Sequence, residues 1–98
     1  MDPLASFTAG TFRDRVGETF TVPAAEGAGL VLAAVDDKGS GAGARPGGAF
    51  SLVFQGPADL LLHQGIHEMT HAELGAFGLF LVPVAQTPEG FRYEAAFN

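Results

Sequence analysis

The sequence predicts an all-β domain, a small antiparallel barrel or roll of five to six strands with one short N-terminal helix. Short apolar runs recur along the chain and are separated by glycine and proline, which favour turns. In residues 91–98 apolar and polar side chains alternate, as in a strand with one face in a core and one in water. A length of 98 residues fits one domain, so we treat residues 1–98 as a single unit.

The first element is predicted to be a short helix from Ala9 to Val16. Thr8 is a favourable N-cap residue, because its hydroxyl can accept a hydrogen bond from a free backbone N–H of the first turn. Phe7 and Phe12 stand at the two positions of a hydrophobic staple. Gly17 can adopt the left-handed conformation that ends many helices.

The predicted strands are residues 18–22, 30–35, 50–55, 66–71, 77–85 and 91–98. Phe50, Leu52 and Phe54 should point inward from the third of these, with Ser51 outward. Pro83 favours an edge or a bulge in the fifth, because proline cannot donate a backbone hydrogen bond. The predicted core consists of Leu52, Phe54, Leu79, Leu81, Phe91, Tyr93 and Phe97.

Residues 36–48 are predicted to form a flexible glycine-rich loop, since they show no periodicity. The segment lacks the Gly-Lys-Ser/Thr ending of a phosphate-binding loop and the strand-loop-helix context that such a loop needs. Nucleotide binding is therefore not expected here.

The most specific motif in the chain is HEMTH at residues 67–71, which has the H-E-x-x-H pattern of zinc metallopeptidases. In a helix, His67 and His71 would share one face and could bind the same zinc ion. Glu68 would then act as general base on a zinc-bound water. The motif thus predicts a zinc hydrolase, on the condition that this segment is helical.

Two observations count against a zinc hydrolase. Gly65 lies just before the motif and would destabilise a helix by about 1 kcal/mol relative to alanine. The third zinc ligand would have to be Glu89 or Glu94, and neither lies in a recognisable ligand motif. In an extended strand, moreover, the two histidines would be about 13 Å apart, too far to share an ion.

A β-hairpin is the alternative for the same segment. Residues 66–71 would form its first strand, Ala72 to Gly75 a four-residue connection, and residues 77–85 its second strand. Together with residues 91–98, this hairpin would make the last third of the chain a three-stranded antiparallel meander. We favour the hairpin over the helix.

Residues 77–85 are apolar on both faces, so only one face can meet the core of its own domain. We predict that the other face is an interaction surface and assign to it Phe77, Phe80, Val82 and Val84. An apolar content of 47% with only 16% charged residues is high for a small domain, whose surface is large relative to its volume. The expected occupant is a protein partner or a second copy of the chain in a homo-oligomer.

Composition argues against several other classes of function. A net charge of −6 with only five dispersed basic residues does not suit nucleic acid, whose phosphates require clustered cations. The absence of cysteine rules out disulfides and thiolate sites. No apolar stretch is long enough to span a membrane and the chain does not start like a signal peptide, so we expect a cytoplasmic protein. No cofactor is predicted.

The stretch from Phe50 to Asn98 resembles the C-terminal half of an uncharacterised family of small bacterial domains. It carries phrases like those of the family: F-S-L-x-F-x-G-P, a Q-G segment ending in histidine, L-F-L-V-P-V and R-Y-E-A-x-F-N. In the family the position of His67 is more often aromatic, so the H-E-x-x-H pattern is a departure from it. The family has no assigned activity, and its members occur near proteins with phage-tail-collar-like domains.

These arguments predict a non-catalytic structural or protein-interaction module, and the resemblance implies an accessory of a phage-tail-like or other multi-protein assembly. The alternative is a small zinc metallopeptidase that uses the HEMTH motif. A small-ligand carrier is the third possibility, but the side chains of a six-stranded barrel leave little interior space for a ligand.

Overall fold

The computed structural model describes residues 7–39 and 48–97, in which six antiparallel strands close into a barrel-like ring. The elements are α1 (Ala9–Arg13), β1 (Thr19–Val22), a 3₁₀ turn (Pro23–Ala25), β2 (Ala28–Gly39), β3 (Ala49–Gln55), β4 (Gly65–His71), β5 (Gly75–Thr87) and β6 (Gly90–Phe97). The predicted all-β class and the short N-terminal helix are confirmed. Within the described ranges, no helix is long and apolar enough to cross a membrane.

The order of the strands around the ring is β1-β2-β3-β6-β5-β4. β4, β5 and β6 form the predicted meander, with β4 paired to β5 and β5 to β6. The ring closes between β1 and β4, where only Thr21 and Thr70 are paired. This line of closure, the β1–β4 seam, is the least hydrogen-bonded junction between neighbouring strands.

Helix α1 begins as the sequence predicts and ends earlier. The Thr8 hydroxyl accepts a hydrogen bond from Thr11 N, and Thr8 N donates to the Thr11 hydroxyl, so the two threonines cap the helix reciprocally. The staple is confirmed, since the rings of Phe7 and Phe12 lie 5.2 Å apart. The helix stops at Arg13, and the chain turns through residues 14–17 until the Gly17 N–H reaches Leu32 O at 2.8 Å.

The predicted flexible loop at residues 36–48 is wrong in its first part. β2 continues to Gly39, with Asp36 paired to Ser51 and Asp37 to Phe50. These polar residues are exposed, so no apolar periodicity in the sequence indicates a strand here. Pairing with β3 holds them in the extended conformation. Residues 40–47 of that prediction lie outside the described residues.

The core is built on phenylalanine rings and aliphatic side chains that point into the ring. Its largest fully buried members are Tyr93, Phe12, Phe20, Phe50, Phe54, Leu30, Leu32, Leu52, Met69 and Leu81. Six of the seven predicted core residues are buried, and Phe91 is half-buried against the core. Ser51, predicted to face solvent, is only 2% exposed and is paired with Asp36 of β2 and Ala96 of β6.

Phe12 closes one end of the ring, and its removal tests the importance of that closure. Its ring is fully buried and lies 5.9 Å from those of Phe50 and Phe97. We expect Phe12→Ala to lower the free energy of unfolding by about 3–5 kcal/mol, because a large cavity would remain. Urea denaturation measures this change, with the exposed Val16→Ala as control at a cost below about 0.5 kcal/mol. Equal losses in both variants would contradict the role of Phe12.

Candidate functional site on the β4–β5 hairpin

The HEMTH motif lies on a strand, not on a helix. Residues 65–71 form β4 and pair with β5 along their whole length. Since side chains alternate along a strand, Met69 and His71 are buried on the inner side, and Glu68 is exposed on the outer side. The helical interpretation is therefore wrong, and the proposed general base points away from the face that carries both histidines.

His71 has a structural partner at each ring nitrogen. Its Nδ1 accepts the backbone N–H groups of Glu73 and Leu74 at 3.0 and 3.2 Å, which fixes the turn between β4 and β5. Because Nδ1 accepts, Nε2 carries the proton and donates a hydrogen bond to the Glu18 carboxylate, 2.7 Å away. The imidazole also packs on the Phe20 ring, 4.6 Å between centroids. Both nitrogens are thus occupied within the fold.

Glu18 and His71 belong to a seam cluster, which we define as Arg15, Glu18, His71 and Glu73. Arg15 Nη1 lies 2.7 Å from Glu73 Oε1 and 3.5 Å from Glu18 Oε1. The hydrogen bond from His71 and, to a lesser degree, the charge of Arg15 hold the pKa of Glu18 below its ordinary value of 4.5. Desolvation opposes this shift but is the weaker effect. The cluster links the start of β1 to the end of β4 across the seam.

The remaining residues of the zinc hypothesis do not converge. His67 Nε2 donates to the backbone carbonyl of His63 at 2.8 Å. Glu89 is exposed in the turn before β6, and Glu94 is exposed on the outer face of β6. In the chain as described, no three His, Asp or Glu side chains are placed to hold one metal ion. Over four residues of strand, His67 and His71 stand about 13 Å apart.

His67 instead lies beside a cleft of about 310 Å³ between the 3₁₀ turn and the segment from residue 56 to residue 64. Leu60 and Leu61 line it, with the His63 imidazole 5.3 Å from that of His67. Two hydrogen bonds fix the segment that forms its wall. The Gly56 N–H donates to Phe91 O at 2.7 Å, and the Leu62 N–H donates to the buried Tyr93 hydroxyl at 2.9 Å.

The outer face of the β4–β5 hairpin carries an apolar stripe, which we define as Ile66, Phe80, Val82 and Val84. Ile66 and Phe80 are directly paired across the two strands and are 77% and 50% exposed. Val84 is 53% exposed, and Val82 is half-buried. Gly78, also on the outer face, precedes Phe80 and leaves the Ile66 side chain uncovered. Apolar side chains at these exposures are unusual on a surface that contacts only water.

Of the residues predicted for the interaction surface, Phe77 is buried, Phe80 and Val84 are exposed, and Val82 is half-buried. Phe77 is 4% exposed and packs on Phe7, because it has the same parity along β5 as the core residues Leu79 and Leu81. The predicted irregularity at Pro83 is confirmed as a shift in register between Pro83 and Ala85. Val84 is the residue of this bulge that has no partner on β6, and it is exposed.

Sequence reasoning missed Ile66 and the seam cluster. Ile66 is out of phase with the buried Met69 and His71, so the alternation of β4 already indicated an outward side chain. No comparable signal exists for the contact of Glu18 with His71, which are 53 residues apart and meet only when the ring closes.

Comparison with protein families matches residues 7–97 to a model described as a domain of unknown function, DUF6916. The match covers most of the chain, which confirms the predicted membership of an uncharacterised family. No curated protein and no solved structure matches the chain.

The lowered pKa of Glu18 predicts a specific loss of stability in acid. A carboxyl group whose pKa is lowered by folding stabilises the folded state when the pH is above the pKa of the group in the unfolded chain. That stabilisation disappears as the pH falls through the pKa of the group in the folded protein. We therefore expect the wild type to have a higher free energy of unfolding than Glu18→Gln near neutral pH, and the difference to shrink as the pH falls below 4.5.

Urea denaturation at a series of pH values from about 6 to about 3 measures this convergence. Glu26→Gln is the control, since Glu26 is exposed in a turn and no ion pair of the described residues includes it. If the free energies of unfolding of the wild type and Glu18→Gln differed by the same amount at every pH, the seam cluster would not stabilise the closure electrostatically.

Proposed function

The chain belongs to the DUF6916 family of domains of unknown function, and we propose that it is a non-catalytic protein-interaction module whose apolar stripe binds another protein subunit. The observation that carries the proposal is the directly paired, exposed Ile66 and Phe80 on the β4–β5 hairpin. Burying such side chains in a partner releases water from apolar surface at about 25 cal/mol per Å². Rigid apolar anchors of this kind are typical of the centre of a protein interface.

The border of the stripe favours a partner with basic residues around an apolar patch. Glu68 lies two positions from Ile66 on the outer face, and Glu94 is the cross-strand partner of Val82. Two copies facing each other would bring these carboxylates together. Arg92, on the same face of β6, is held by Gln55 at 3.1 Å. The net charge of −6 strengthens the preference for a basic partner.

The size of the stripe is consistent with one contact among several. A standard interface buries about 800 Å² on each partner, far more than four side chains provide. The stripe therefore supplies the central anchor of a contact that other subunits or surfaces complete. This role suits an accessory of a phage-tail-like or other multi-protein assembly.

Site-specific photocrosslinking tests the proposal. With benzoylphenylalanine in place of Phe80, we expect the protein in its own cells to form one defined crosslink to another protein. The matched control carries the same photoreactive group in place of Val31, which is 38% exposed on β2, and should give no such product. Adding Ile66→Ser should reduce the crosslink about fivefold or more, as expected for a contact worth about 1 kcal/mol.

All three substitutions lie at exposed positions, so each variant should keep its urea midpoint close to that of the wild type. Identical products from positions 80 and 31, or a crosslink that Ile66→Ser leaves unchanged, would contradict the proposal. A crosslink only between two copies of the chain would also contradict it, by assigning the stripe to a homo-oligomer.

A further inference from the structure

The two edges of β4 are paired to very different extents. On one side all seven residues of β4 are paired with β5, from Gly65 with Leu81 to His71 with Gly75. On the other side only Thr70 is paired, with Thr21 of β1. Every second residue of 65–68 therefore directs its backbone N–H and C=O groups to a side of the strand where no described strand runs.

The 3₁₀ turn packs beside β4, and its conformation is the reason that no strand pairs with this part of β4. Continuing the register of Thr21 with Thr70 would place residue 23 opposite residue 68 and residue 25 opposite residue 66. Pro23 has no N–H to donate, and the chain turns at Pro23–Ala25 instead of continuing as a strand. Within the described residues, no backbone hydrogen bond joins residues 23–25 or 56–64 to residues 65–68.

The cleft of about 310 Å³ described above lies on this side of β4, where His67 contributes to its lining. Its aliphatic walls and the half-buried His67 suit one apolar side chain, and its volume is at the lower end of the range for ligand sites. An unpaired strand edge beside an apolar pocket is the arrangement by which domains bind extended peptides. The edge supplies backbone hydrogen bonds and the pocket selects a side chain.

The charges nearby favour a basic segment. A second depression of about 370 Å³ shares Ala25 and Leu60 with the cleft and includes Glu26 and Asp59. Among the described residues that line the two depressions there is no lysine or arginine. Glu68 is exposed on β4 itself.

We propose that the cleft between the 3₁₀ turn and β4 is a peptide-binding site. It binds an extended segment of a partner protein, which pairs with the open edge of β4, inserts one apolar side chain beside His67 and carries lysine or arginine on either side. This site is distinct from the apolar stripe, because it uses the edge of β4 and the stripe uses its outer face.

A designed peptide tests the proposal on the intact protein. The probe is an amidated nonapeptide of alternating lysine and valine with a central phenylalanine, and its binding is followed by amide chemical shifts and calorimetry. We expect shifts and slower hydrogen exchange at residues 65–68. A second peptide with the same side chains but N-methylated at alternate residues should bind about tenfold more weakly, since it cannot complete the backbone pairing.

Two variants localise the binding. Ala24→Phe fills the cleft from an exposed position and should weaken binding about tenfold or more, whereas Ala96→Phe, exposed on β6, should leave it unchanged. Equal binding of the two peptides would overturn strand addition, and equal binding to the two variants would overturn the cleft as the site. Shifts of residues 65–68 that depend on protein concentration, without peptide binding, would assign the edge to a second copy.

Discussion

The two-residue alternation of β4 is the constraint on which the interpretation of this protein depends. An extended backbone sends Met69 and His71 into the core and Ile66 and Glu68 outward. That single geometric fact separates the residues of the H-E-x-x-H pattern and creates the exposed anchor of the apolar stripe. On a helix the same five residues would have placed the two imidazoles close enough to bind one ion. The motif therefore acquires its meaning from the backbone conformation and not from the residue types alone.

Closure of the ring is the second determinant, and side chains accomplish most of it. Only Thr21 and Thr70 are paired across the β1–β4 seam. At one end of the seam, the Glu18–His71 hydrogen bond and the packing of His71 on Phe20 hold the strands together. At the other end, the 3₁₀ turn leaves β4 without a neighbouring strand. The side-chain contacts that hold the closure and the unpaired edge of β4 thus lie along the same seam.

Much of the fold was predictable because it depends on local chemistry. Thr8 with Phe7 and Phe12 identified the start of α1, and alternation identified β3 and β6. The extension of β2 through Asp36 and Asp37 was not predictable in this way. Consecutive exposed polar residues resemble a loop in the sequence, even when they are paired with a neighbouring strand. The seam cluster depends on contacts between residues distant in sequence, which no local pattern encodes. Phe77 was misassigned because an all-apolar strand hides its own alternation, although its parity with Leu79 indicated the correct face.

The most direct test is a long-range ¹H–¹⁵N spectrum of the three histidine side chains, recorded before and after one equivalent of zinc. The strand geometry predicts that His71 is protonated at Nε2 and unprotonated at Nδ1, and that zinc leaves its signals in place. Any response should be confined to His63 and His67, whose rings are 5.3 Å apart. Simultaneous displacement of the His67 and His71 signals by a single equivalent would show that the two imidazoles share one ion, and would contradict the account of β4.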